Sequence, residues 1–526
     1  MRCRWVLILL AVALAGPVSA LHGQSARELH KQGIEALNAG QFAVAERAFS
    51  RLARLHPSAA TFYNLAMAEG GEGKFSQAIA HFQKSIQLGN DTPNVRYILG
   101  LAYLKAKQPA SGIREFHLAL TREPAFTAAR YALGLALLDA GQPQEALTSL
   151  EQVRSRLSKN PWMWTNLARA QFGVGDTHAA LETVEDATKA FPQNPQLFAT
   201  LANLCLAHNQ AQRARQLLEN ASEMAPADDG LKLLLARASL EAVEPMETLA
   251  VLKDVPATAG SPGEVAFLEG SALMLSGKPK QAAPLVASAV SVDPKNIRYL
   301  STYAEIETME EDYPGALASL KKAQLMQPAS PALPYEIALI NVRMGRLGDA
   351  VAASDEATRL NPKFDQPYFL AGVVQLNQGN SAAAVESLRK AVEIQPEDAL
   401  YHSALGAALL KSGNLSESEK ELDRALALDP GTASAYLVRA HVYEDQKQPA
   451  KAVQDLKSFV ALDTDYPQAY AELAWLYTTS GQTRKASAAH CKYTQLKAKI
   501  KGHSQPPLFL SQLWSSVVRK AHTVSQ

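Results

Sequence analysis

The sequence predicts an all-α fold, an α-solenoid of about fourteen stacked helix pairs, on three observations. A small residue returns at Gly33, Ala66, Gly100, Gly134, Ala168, Ala202, Ala236, Gly270, Ala304, Ala338, Gly372, Gly406, Ala440 and Ala474, each 34 residues after the last except for a first step of 33. Twelve residues beyond each member lies a second, mostly small position, running from Ala45 and Ala78 to Ala452 and Ala486. Between the two a turn glycine recurs (Gly40, Gly73, Gly141, Gly175, Gly277, Gly345, Gly379, Gly413, Gly481), and a proline such as Pro57, Pro124 or Pro430 closes most units. A period of this length marks one supersecondary unit that must stack on its neighbours to bury its apolar face.

One unit read in order shows why each part forms. Apolar residues at helical spacing across 61–69 predict a first helix, which Gly70, Gly71 and Gly73 stop. Residues 75–88 predict a second helix with Ala78, Ile79, Phe82 and Ile86 along one face. Small residues on both helices let the backbones approach, and Leu65, Phe82, Tyr103, Phe116, Trp164 and Leu388 fill the remaining space. Several second helices open on a proline (Pro109, Pro143, Pro279, Pro449), where a missing N–H costs nothing. The seventh unit departs most: Thr248 stands at the second small position, Val243 at the turn, and Pro256 is expected to cut the second helix short, with 256–263 a loop. It reads as a worn repeat that still packs, with a flex point between two sub-arrays as the alternative. The expected layout is a leader over 1–20, an array over 26–228, the degenerate unit over 229–262, a second array over 263–500 and an amphipathic helix over 508–522.

These small, aromatic and proline positions at 34-residue spacing resemble the tetratricopeptide repeat (TPR) family, and the resemblance covers nearly all of residues 26–500. It implies antiparallel helix pairs wound into a right-handed superhelix whose first helices line a concave groove. It also implies protein or peptide binding rather than catalysis.

Composition narrows function further. Hydrophobic residues make up 47% of the chain, enough for a long core, while 52 Lys and Arg against 51 Asp and Glu leave no basic excess to attract nucleic acid. Three cysteines cannot staple a chain of this size, and Cys205 and Cys491 lie too many units apart to pair within one chain. Cys205 reads as a small core hydrophobe and Cys491 as buried by default. Arg2 and Arg4 ahead of an apolar run over 5–15, then Gly16, Pro17 and the small residues Val18-Ser19-Ala20, fit a signal peptide. The chain is therefore expected to be exported, to a bacterial periplasm or beyond.

No catalytic, metal or cofactor site is expected. Gly70-Gly71-Glu72-Gly73-Lys74 lacks a phosphate loop's spacing, since Ala68 and Phe75 occupy the deciding places. The histidines show no paired metal spacing, and Glu305, Glu307, Glu310, Glu311 and Asp312 read as a solvated face. Glycosyltransferases with similar arrays carry a catalytic domain after the repeats, whereas only 501–526 follow here.

Numbering each unit so that the recurrent small residue is position 8, family geometry aims positions 2, 5, 6, 9 and 12 into the groove. That selects Tyr63, Asn64, Tyr97, Tyr131, Trp162, Asn166, Arg169, Asn203, Arg237 and Phe267 as the candidate protein-binding face: rings give apolar area and Asn satisfies an extended backbone. Packing of Tyr63, Tyr97 and Tyr131 between adjacent first helices is the competing expectation. The function expected is a non-enzymatic scaffold or adaptor for protein or peptide segments in envelope assembly or export, without nucleic acid. The alternative is an accessory subunit of a glycan-transferring or polysaccharide-secretion system. Membrane contact, if any, is assigned to the C-terminal helix.

That helix carries Leu510, Leu513, Trp514 and Val517 at i, i+3, i+4 and i+7 after Pro506-Pro507. It is read as a cap over the last repeat's open apolar face, against the alternative of a membrane-docking helix. On the capping reading, deleting residues 508–526 makes the purified protein aggregate in light scattering; a truncated protein that stays monomeric and equally stable contradicts it.

Overall fold

The computed structural model describes residues 23–499, so the expected leader and the helix over 508–522 lie outside the described residues. Among them are 28 α-helices and no strand. The first three pairs are α1 (Gly23–Asn38) with α2 (Phe42–Leu55), α3 (Ala59–Gly71) with α4 (Phe75–Gln87), and α5 (Pro93–Lys105) with α6 (Pro109–Arg122). Next come α7 (Thr127–Asp139) with α8 (Pro143–Glu151), α9 (Pro161–Gly173) with α10 (Thr177–Ala190), and α11 (Pro195–Ala207) with α12 (Ala211–Met224). The seventh repeat is α13 (Asp229–Glu241) with α14 (Pro245–Leu252), followed by α15 (Glu264–Leu275) with α16 (Pro279–Val292) and α17 (Ile297–Met309) with α18 (Tyr313–Met326). Then follow α19 (Ala332–Arg343) with α20 (Leu347–Leu360), α21 (Asp365–Asn377) with α22 (Ser381–Ile394), and α23 (Ala399–Lys411) with α24 (Leu415–Leu428). The last are α25 (Ala433–Asp445) with α26 (Pro449–Leu462) and α27 (Pro467–Thr479) with α28 (Thr483–Lys499). The fold is an α-solenoid, as the period predicts. The chain divides into two compact units between Ala238 and Ser239, inside α13.

Helix starts follow local chemistry. Ser58, Thr92, Asn160, Asp176, Asn194, Asn296, Asp312 and Asp398 each accept a backbone N–H of the helix they precede. Proline opens α6, α8, α14, α16 and α26, at the place where its missing donor is harmless.

The turn inside each pair is the same device throughout. Position 15 takes the left-handed conformation (φ +69° at Gly40), and its N–H and the next bond back to last-turn carbonyls, as in Gly141 to Leu138 (3.2 Å) and Gln142 to Leu137 (2.9 Å). In five repeats that place is held by Lys107, Asn209, Val243, Glu311 and Lys447, all at positive φ. The turn geometry is set by the stack rather than by glycine, so these side chains accept the strain.

Within each unit the core lies between the two helices of a pair and between a second helix and the first helix that follows it, as in α3 with α4 and α4 with α5. Position 24 is fully buried in thirteen repeats, including Phe49, Phe82, Phe116, Leu150, Leu388 and Leu456. Position 23 supplies a polar brace across the pair. Arg96 bonds Glu115 (2.8 Å) and Asp91 (2.6 Å), Arg439 bonds Asp455 (2.7 Å), and His81 bonds Glu69 (2.8 Å) while stacking on Phe62. His402 occupies the place of Arg96: Nδ1 meets Glu421 at 2.6 Å and Nε2 meets the Pro396 carbonyl at 3.0 Å. Burial disfavours the charged ring, yet those two acceptors outweigh it and raise its pKa.

In the seventh repeat the second helix has 8 residues where most have 14, and residues 253–263 form the loop. Thr248 is nevertheless buried and returns its hydroxyl to the Glu244 carbonyl at 3.1 Å. The eighth helix also stops early, at Glu151, and the chain continues in tighter turns (Val153 N–H to Leu150, 3.1 Å). Cys491 is exposed rather than buried, because no further described helix covers that flank of α28.

Two stability tests follow from this packing. A β-branched residue at φ +61° is costly, so Val243→Gly raises stability by about 1 kcal/mol in urea titration and exceeds the gain from Lys107→Gly. Ala316, fully buried at position 20, has no room, so Ala316→Trp costs about 1–3 kcal/mol. Hydrogen exchange should place that loss in α17, α18 and their neighbours; uniform loosening of every repeat would contradict nearest-neighbour packing.

Candidate protein-binding face

First helices of successive repeats touch directly: α1 with α3, α5 with α7, α7 with α9 and α9 with α11 in one unit, and α15 with α17, α21 with α23 and α23 with α25 in the other. They form a layer in each unit, and position 9 of one repeat abuts position 6 of the next. His441 and Glu472 occupy that pair of places 3.2 Å apart.

The ten predicted residues separate into three groups on this layer. Tyr63, Tyr97 and Phe267 are buried at 7%, 7% and 3% exposure, which corrects their assignment as ligand-facing rings. Each packs on another ring instead: Tyr63 on Phe82, Tyr97 on Phe116 and Phe126, and Phe267 on Tyr299 with centroids 4.7 Å apart. Burial raises the phenol pKa of Tyr63 and Tyr97. Asn64 is buried too, its Nδ2 without a hydrogen-bond partner. Tyr131, Asn166 and Arg237 are half-buried, and Trp162, Arg169 and Asn203 are exposed.

The structure brings four of them together. Asn166 Nδ2 donates to Tyr131 Oη (3.0 Å) and to the Trp162 carbonyl (2.7 Å), fixing the amide between α7 and α9. Arg169, one turn on, pairs with Asp139 at 3.1 Å. Trp162 stands 47% exposed beside them, and Asn203 follows on α11. An exposed indole with a fixed amide and a guanidinium further along the same helix can cover apolar side chains and bond an extended backbone, and Asn203 offers a second amide on α11.

The other unit adds two features beyond those the sequence predicts. Trp475, at position 9 of the last repeat, is 60% exposed beside a groove of about 600 Å³ lined by Ala471, Thr478, His490, Cys491 and Tyr493. In the acidic stretch, Glu307 is half-buried and hydrogen-bonded to Ser319 (2.8 Å), and burial raises its pKa; only Glu310, Glu311 and Asp312 are solvated. Glu336 follows at position 6 of the next repeat, and burial together with the Glu305 charge pushes it up to about 7. Burial pushes the Cys205 thiol up to about 11, in keeping with a core role. Among the described residues no three potential metal ligands gather.

A stack of helix pairs carrying a first-helix layer is a helical-repeat protein. Sequence profiles described as tetratricopeptide repeat match residues 30–93, 97–161 and 335–399, residues 137–204 and 375–442, and residues 433–466. The chain belongs to the tetratricopeptide repeat family, as a protein of many repeats. No curated protein sequence matches it. Similar solved structures include the APC/C hetero-tetramer Cut9-Hcn1 (14% identity, 86% of this chain and 96% of that one, TM-score 0.39). They also include YrrB, a TPR protein with an unusual peptide-binding site (20%, 35% and 95%, 0.31), and MamA (21%, 31% and 95%, 0.29).

The Glu336 environment sets a pH dependence. Its folded pKa lies above the unfolded value, so its contribution is fully present at pH 4 and is lost as pH rises through about 7. Glu336→Gln should remove on the order of 1–3 kcal/mol of the stability difference between pH 5 and pH 8, measured by urea unfolding.

Proposed function

We propose that the chain is a non-enzymatic scaffold that binds protein or peptide segments along its first-helix layer and works outside the cytoplasm, in envelope assembly or export. The observation that carries the binding reading is that Trp162, Arg169 and Asn203 are exposed on α9 and α11, with the Asn166 amide fixed between the first two along α9. Interface hot spots are enriched in Trp, Tyr and Arg, and an exposed indole beside fixed polar groups has that chemistry. Repeat arrays present extended surfaces of this kind, which supports a protein partner over a small molecule. Export rests on the basic and apolar pattern of residues 1–20.

The test replaces Trp162, Arg169 and Asn203 together by Ala in the full chain and captures partners from an envelope extract with crosslinking mass spectrometry. All three side chains sit outside the core, so helicity by circular dichroism should be unchanged while partner yield falls roughly tenfold or more. Unchanged yield would place binding elsewhere. Cell fractionation finding the chain in the cytoplasm would remove the export reading.

A further inference from the structure

The last described repeat differs from the others in charge and in its core position. Residues 473–526 contain eight Lys and Arg and no Asp or Glu, which leaves 44 basic against 51 acidic residues in the rest of the chain. The helix α28 has no carboxylate of its own. Arg484, Lys485, Lys492 and Lys499 fall at i, i+1, i+8 and i+15, which is one stripe of a helix, and all four are exposed. Lys485 bonds Gln482 (2.9 Å) and lies over the Tyr477 ring (5.6 Å), so its charge is held by neutral groups.

The stripe borders an apolar feature. Arg484 lies one and two turns from Ser487 and Cys491, which line the groove beside Trp475. Position 24, buried in the thirteen preceding repeats, is here the exposed His490, and position 27 is the half-buried Tyr493. A face built to receive a further repeat would carry the Leu or Phe and Ala of its neighbours. This one carries Trp, Tyr, His and a row of cations.

We propose that this end of the array is a docking surface for an anionic lipid bilayer, with the α28 stripe over the headgroups and Trp475 at the interface. Charge complementarity selects the occupant: clustered Lys and Arg on a helix are attracted to anionic lipid by about 1 kcal/mol each, and Trp partitions to the headgroup level. Among the described residues no helix is long and apolar enough to cross a membrane, so contact here is peripheral. The surface is separate from the Trp162 layer, and neither reading depends on the other.

The test uses the full chain and vesicles of 30% phosphatidylglycerol in phosphatidylcholine, beside pure phosphatidylcholine, at 0.1 M salt. Wild type should sediment with the anionic vesicles alone and be released by higher salt. Arg484→Gln with Lys492→Gln and Lys499→Gln, all at exposed sites, should weaken partition about a hundredfold at unchanged helicity. Trp475→Ala should weaken it several-fold. Three outcomes overturn the proposal: no sedimentation of wild type, equal sedimentation with neutral vesicles, or a triple variant that binds as wild type. A chain that ignores vesicles yet binds poly-glutamate through the same three residues would assign the surface to an acidic protein instead.

Discussion

Each helix pair depends on one close approach, between position 8 of the first helix and position 24 of the second. A Cβ built on Gly100 would lie 2.5 Å from the Phe116 ring, one on Gly134 2.7 Å from Leu150, and one on Gly372 2.5 Å from Leu388. In the six repeats with Gly at position 8 the large side chain of one helix is seated on the bare backbone of the other, and in the rest Ala adds only a methyl. That contact sets the separation of the helices, and the separation sets the turn, so position 15 is driven into the left-handed region even where it is Lys107 or Val243. Interiors this closely packed do not absorb an extra methylene freely.

A stack built on such contacts leaves few places for function, and the first-helix layer is the main one. Inside each unit its members touch, so an aromatic there has a ready partner in the next repeat. Phe267 stacks on Tyr299 and Phe369 on Tyr401 in the same register, with centroids 4.7 and 4.6 Å apart. Rings at position 5 are taken up by packing, against the next repeat at Phe267 and Phe369 and against the second helix of their own pair at Tyr63 and Tyr97. The exposed side chains of this layer fall at positions 2 and 9, as at Trp162, Arg169 and Asn203.

The fold was legible because the small residues at positions 8 and 20 must recur wherever two helices approach, and a register of 34 residues records that demand. The short α14 and its loop were legible from Pro256. The face was read less well. Helical periodicity tells which side of a helix a residue occupies, not whether a neighbouring helix has already covered it. For Tyr63 and Tyr97 it therefore leaves a ligand-facing and a packed ring equally open, and for Phe267 it points to the face. The brace at position 23 was invisible for a related reason: Arg96 with Glu115 and His402 with Glu421 are partners 19 residues apart, and only the antiparallel pairing brings them together.

The most direct test of the central contact is a double-mutant cycle between Gly100→Leu and Phe116→Ala, read by urea unfolding. If backbone approach is what the Phe116 ring requires, Gly100→Leu is severely destabilising alone and its cost falls by roughly 2 kcal/mol or more once the ring is removed. Costs that simply add, to within about 0.5 kcal/mol, would mean the two positions do not sense each other and that something else holds the helices at their spacing.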